Sequence, residues 1–260
     1  MTEQMAGAQP WLLLVILLGP AIGSFLAVLV DRLPRGEDTV VRPSGCRSCG
    51  TALTAWQMVP ILSFLLQRGR CSRCGAAIPS WLFYLELICL GAGILAVLQG
   101  GGIMTVVLSA AFLWVLAALA TADVLWLRLF DPLTAALALV AFAMALTPQG
   151  AGLEQAALGA ALGAGSFAAL RWGYWVLRRR EGLGLGDVKL MVGLGAFSGP
   201  YDLPLLVLLA AIAALAVALV QRVMNRQSLA GDRPLPFGAA LCGAAAILWL
   251  IGPQLVPVAW

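Results

Sequence analysis

Gly182-Leu183-Gly184-Leu185-Gly186-Asp187-Val188-Lys189 sets three alternating glycines, a carboxylate and a lysine into a chain that is otherwise strongly apolar. Glycine lets a backbone leave the regular helix and lets other groups approach it closely. Inside a bilayer such a backbone is tolerated only where protein or a water-filled cavity surrounds it. An acid delivered to that place is costly, which marks it as a functional position. The competing reading makes Asp187 the N-cap of a helix that begins at Val188. The stretch alone leaves both open.

Working outward, the chain around it is a membrane chain. Of 260 residues, 62% are apolar and 11% charged, against about a quarter charged in soluble globules. Apolar segments of spanning or near-spanning length are expected at 11–30, 81–99, 102–122, 132–148, 152–170, 188–200, 203–221 and 235–252, giving an all-α polytopic protein of eight spans. The first residues carry Glu3 and no basic group, so Trp11 to Val30 reads as a retained span and not as a cleaved signal. Alternate loops then collect all sixteen basic residues on one side. Arg32, Arg35, Arg42, Arg47, Arg68, Arg70 and Arg73 lie in 31–80 and Arg128 in 123–131. Arg171, Arg178, Arg179, Arg180 and the adjacent Lys189 belong to 171–187, and Arg222, Arg226 and Arg233 to 222–234. The other side keeps Glu3, Glu154 and Asp202. Positive charge stays inside, so both termini are expected outside, with Asp123 and Asp187 at the inner membrane face.

The long polar loop carries Cys46-Arg-Ser-Cys49-Gly50 and Cys71-Ser-Arg-Cys74-Gly75, two near-repeats 25 residues apart. Paired CxxCG knuckles are the spacing of a four-thiolate structural zinc site. On the cytosolic side thiols stay reduced, which disfavours disulfides. Such a closed site scaffolds a loop and does no chemistry. Cys89 and Cys242 fall within spans and read as packing residues.

Histidine is absent, which removes the usual general base. Acid–base work therefore falls to carboxylates. Asp131-Pro132 reads as an N-cap followed by an N1 proline. Asp31-Arg32 reads as an interfacial ion pair. Glu86, inside the second span, is either functional or paired with an arginine. Asp123 ends the third span, where a helix C-terminus disfavours negative charge, so capping its own helix cannot explain it. Asp123 and Asp187 remain, one from each of two spans. Two carboxylates brought within a few ångströms share one proton, and such a dyad can activate water. Lys189 either biases that dyad or anchors the helix at the inner face.

These residues together resemble the type IV prepilin peptidases, the GxGD-type membrane aspartyl peptidases. The resemblance covers nearly the whole chain. It rests on Gly23-Ser24-Phe25, on Arg32-Leu33-Pro34, on the four cysteines, and on Pro60-Ile-Leu-Ser-Phe64 with Arg68-Gly69-Arg70 between the knuckles. Glu86 follows, then Asp123 seven residues before Phe130-Asp131, then Gly184-Leu185-Gly186-Asp187-Val188-Lys189, and finally Pro236-Phe237-Gly238. The chain departs from the family pattern at Ala27, Gln57-Met58-Val59, Trp81-Leu82-Phe83, Phe130 and Ala239.

The resemblance implies Asp123 and Asp187 as catalytic residues, supported by Gly184, Gly186 and Lys189. It implies Cys46, Cys49, Cys71 and Cys74 as zinc ligands, and Gly23 and Glu86 as the positions connected with S-adenosylmethionine. Residues 1–99 would form the methyltransferase part, with its zinc module at 31–80, and 100–260 a six-span peptidase domain. The expected substrates are prepilin or pseudopilin precursors of type IV pili or type II secretion, cut after a glycine at the face of the bacterial inner membrane and then N-methylated. The lipid bilayer is the other partner expected, and nucleic acid is not one. The arginine-rich loop is expected to hold anionic headgroups. Three other readings stay open: a peptidase without methyl transfer, an ion-coupled transporter that uses intramembrane acids, and a non-catalytic assembly factor that keeps the ribbon.

Overall fold

The computed structural model describes residues 10–38, 43–179, 182–225 and 235–252. Glu3, Arg42, Arg180, Arg226 and Arg233 lie outside the described residues. The described chain is helical: α1 (Pro10–Arg32), α2 (Leu62–Leu66), α3 (Ser80–Gln99), α4 (Ile103–Trp126), α5 (Asp131–Ala145), α6 (Leu153–Arg178), α7 (Leu185–Asn225) and α8 (Phe237–Ile251). Five of these helices, α1, α3, α4, α6 and α7, are long and apolar enough to cross a membrane, while α5 and α8 are apolar but shorter. Helices apolar on every face suit a bilayer, because they close their own backbone hydrogen bonds.

Two compact units divide within α4, at Ala118 and Leu119. In the first, α1 meets α3 through glycines. A Cβ at Gly19 would lie 2.6 Å from the Cys89 carbonyl oxygen, and one at Gly23 would lie 2.9 Å from Glu86 Cα. This is the small-residue spacing that lets membrane helices approach backbone to backbone. The Trp114 indole N–H donates to the Cys89 carbonyl at 2.8 Å and ties the first half of α4 to α3. At the end of α1, Asp31 is held by Arg35 one turn on and by Arg47 at 2.7 Å. Arg32 is buried and donates to the carbonyls of Asp38 and Pro43 at 3.0 and 3.2 Å.

The second unit is built on α7. Its helical path breaks at Gly199, with φ 63° and ψ −178°, just before Pro200. A Cβ at Gly163 of α6 would lie 2.9 Å from the Met191 carbonyl oxygen and 3.5 Å from Leu203 Cδ1. Twelve residues of straight helix would hold Met191 and Leu203 ~18 Å apart, so the chain folds back at Gly199. The segments expected at 188–200 and 203–221 are thus the two arms of α7. Gly159 and Gly195 pack so closely that a Cβ on either would overlap the other's carbonyl oxygen. On the other side, Gly193 lets the first arm press against Leu137 and Ala138 of α5.

Candidate active site

Asp123 sits in the last turn of α4, a position its own helix disfavours. The compensation comes from α8. The Ala239 N–H donates to Asp123 Oδ2 at 2.7 Å, and the Gly238 N–H donates to the same carboxylate. These are first-turn N–H groups, which no helix satisfies internally. Gly238 leaves room for this contact, because a Cβ there would stand 3.0 Å from Asp123 Oδ2 and equally close to Leu129 Cδ1. Asp123 is buried.

Asp187 lies in the first turn of α7, which begins at Leu185 and not at Val188. It is therefore inside the helix and not its N-cap. Its carboxylate accepts the N–H of Gly184, the residue just before the helix. This is the backward half of a capping box. Gly186 meets Leu129, whose Cβ would lie 2.9 Å from a Cβ added there. The same leucine therefore fills the space beside both Gly186 and Gly238, close to each aspartate.

Both aspartates line one cleft of about 490 Å³, together with Leu127 to Asp131, Gly184 and Gly186. Asp131 differs from its sequence reading. Phe130 occupies the N-cap position, Asp131 is already helical, and Pro132 follows it inside the first turn, where a missing N–H costs nothing. The Asp131 carboxylate pairs with Lys189 Nζ at 2.6 Å, with both groups exposed. Lys189 thus joins the start of α7 to the start of α5 at the rim of the cleft.

Helix α6 carries residues with no sequence signal of their own. Arg171 donates to the Leu183 carbonyl, and Gly182 lies against the Tyr174 ring, 2.5 Å from where its Cβ would be. Phe167 stacks on Phe237 with ring centroids 6.3 Å apart. Positions 167, 171 and 174 share one helical face. That face supports both the glycine loop before Asp187 and the turn whose N–H groups hold Asp123. Only the hydropathy break at Arg171 hinted at it.

In the first unit, Glu86 is buried and accepts the Ile61 N–H at 2.7 Å and the Ser24 hydroxyl. Ile61 has φ 63°, an unusual value for a β-branched residue, and Glu86 holds it at the start of α2. Gly23 and Glu86 therefore meet where α1 crosses α3.

The four cysteines come together. Their sulfurs all lie within 4.8 Å of one another, and Cys46 Sγ is 3.7 Å from Cys74 Sγ. Tetrahedral zinc with bonds of about 2.3 Å requires sulfurs roughly 3.8 Å apart, so the set fits a metal ion. The two knuckles repeat the same hydrogen bonds. Cys46 N–H donates to Thr51 and Gly50 N–H to Cys46, as Cys71 does to Ala76 and Gly75 to Cys71. Gly50 and Gly75 turn each knuckle at φ 69° and 71°. Hydrogen bonds from the Thr51 hydroxyl and backbone bring the Cys49 thiol down to about 6. The N–H groups of Cys74 and Arg73 lower that of Cys71. Both shifts favour the thiolate that binds metal.

Two family models match the chain: the bacterial peptidase A24 N-terminal domain over residues 17–99, and the type IV leader peptidase family over residues 110–219. A prepilin leader peptidase/N-methyltransferase of Burkholderia pseudomallei is 35% identical over 92% of this chain and 85% of its own length. Proteins of the same name from Aeromonas hydrophila and Dichelobacter nodosus are 32% and 30% identical, covering 95% and 90% of this chain and 94% and 89% of theirs. No solved structure matches.

Proposed function

The chain belongs to the type IV leader peptidase family, and from that premise we propose that it removes the leader from prepilin-like precursors and N-methylates the new N-terminus. The observation that carries the peptidase half is the single cleft lined by Asp123 and Asp187, each held by N–H groups at a helix start. With one aspartate ionised and the other protonated, the ionised carboxylate takes a proton from water as the water oxygen attacks the scissile carbonyl carbon. The protonated partner donates to the carbonyl oxygen. Collapse of the tetrahedral intermediate breaks the C–N bond, and the leaving nitrogen takes its proton from the dyad. Gly184, Gly186 and Lys189 shape and brace the loop that presents Asp187. The match of residues 110–219 to the type IV leader peptidase family favours the peptidase over an ion-coupled transporter.

Topology follows the same reading. Eight spans with both termini outside would use the two arms of α7 as separate crossings, with α5 and α8 as short ones. The arginine-rich loops then face the cytoplasm of a bacterium, where a basic leader of a pilin or secretion pseudopilin would emerge at the inner membrane. The four cysteines hold zinc as a scaffold for residues 31–80.

The methyl-transfer half is assigned to residues 1–99, and the peptidase to 100–260. S-adenosylmethionine supplies an electrophilic methyl group when bound. Glu86 is the buried carboxylate in this half, suited to a cationic partner, and Gly23 leaves the space that brings it there. Mass spectrometry of the cleaved product tests this. Wild type should add one methyl mass, whereas Glu86→Gln should cleave without adding it. A fully methylated product from Glu86→Gln would remove Glu86 from the assignment.

A further inference from the structure

The cysteine module presents an apolar face beside the start of α3. Phe64 of α2 stacks on Phe83 of α3 with centroids 4.7 Å apart, and the Ile61 N–H bonds Glu86 at 2.7 Å. Glu86 lies six residues into α3, roughly 9 Å along its axis. With 20 residues, α3 is about as long as the hydrocarbon core is thick. Residues Pro60–Leu66 therefore run beside the first two turns of a membrane span. At that level Leu62, Leu65 and Leu66 turn outward, Leu66 being 75% exposed, and Trp56 just before them is 81% exposed. Tyr84 and Ile88 of α3, at the same depth, are exposed as well. Exposed Arg68 and Arg70 follow directly.

We propose that residues 56–66 form a monotopic wedge inserted into the leaflet that holds the start of α3, with Arg68 and Arg70 on the phosphates of anionic lipid. The occupant of the apolar face is the bilayer, because the depth of the segment is fixed by its two contacts with a spanning helix. Apolar segments flanked by basic residues commonly sit 5–10 Å into the interface, and long arginine side chains reach back to headgroups. The module is then a part of the membrane surface and not a soluble appendage. This inference requires only that α3 spans a membrane, so it stands or falls independently of the peptidase reading.

The test uses the whole protein in nanodiscs of phosphatidylcholine and phosphatidylglycerol. Photo-crosslinking from Leu66→p-benzoylphenylalanine should give lipid adducts, and crosslinking from Ser48→p-benzoylphenylalanine, in the first knuckle, should give none. Both positions are exposed, so the label displaces no packed side chain. In the Leu66-labelled protein, Arg68→Gln with Arg70→Gln should lower the phosphatidylglycerol share of the adducts severalfold. Absence of lipid adducts at position 66 would overturn the proposal. So would their replacement by peptide adducts when a synthetic apolar prepilin-like helix is added, which would assign the face to substrate. An unchanged phosphatidylglycerol share would overturn the headgroup contact.

Discussion

Asp123 Oδ2 accepts the Ala239 N–H at 2.7 Å across 116 residues of sequence. A carboxylate that its own helix end repels is thus held by the start of another helix, in the orientation that faces the cleft. The structure predicts sensitivity at the glycine that makes room for this contact. Gly238→Ala should crowd both Asp123 and Leu129, lowering the cleavage rate and destabilising the fold by about 1–3 kcal/mol. Gly243→Ala, in the same helix with nothing near its missing Cβ, should be neutral or stabilising by up to about 1 kcal/mol. Equal behaviour of the two variants in cleavage and thermal unfolding would contradict the contact.

Arg171 anchors the loop before Asp187 through the Leu183 carbonyl. Arg171→Ala should lower kcat by about tenfold or more while leaving KM nearly unchanged, since misplacing a catalytic group costs rate. Arg171→Lys should recover part of the loss by donating to the same carbonyl. A change confined to KM would assign Arg171 to substrate binding instead.

The close approach of α6 and α7 rests on Gly159 and Gly195. Gly159→Ala should force the helices apart and cost ~1–3 kcal/mol or more, lowering the melting temperature in detergent. Gly165→Ala, on an open part of α6, is the matched control and should not lower it.

Removing metal from the cysteine cluster should loosen residues 43–79, seen as new protease cleavage there, with the second unit intact. In the stripped protein Cys49 should alkylate fastest of the four near neutral pH. Because its thiol sits at about 6, below the ordinary cysteine range, the thiolate persists as pH falls and is lost only on passing about 6. Its alkylation in the stripped protein should therefore hold its rate down to about pH 6 and fall below it. A Cys49 that alkylates no faster than the other three at neutral pH would contradict this.

The sequence exposed the membrane class, the cysteine repeats and the two aspartates because each is a local departure from a uniform apolar background. The contact of Asp123 with Gly238 and Ala239 was not readable, because its partners are backbone N–H groups, which leave no residue signature. Asp131-Pro132 misled for the opposite reason. Its local pattern is a cap, yet Lys189, 58 residues away, offers the carboxylate a charged partner. A reversal near Gly199 is expected from the separate segments 188–200 and 203–221 with Asp202 between them, and the contacts of Gly163 with both arms of α7 agree with it.

Cleavage of a purified prepilin-like substrate in lipid, by wild type, Asp123→Asn and Asp187→Asn, tests the central claim most directly. Wild type should release the leader, and each variant should lose roughly 10²–10⁴-fold or more of that rate while keeping its helical content and detergent elution profile. Normal processing by either folded variant would contradict the aspartate dyad.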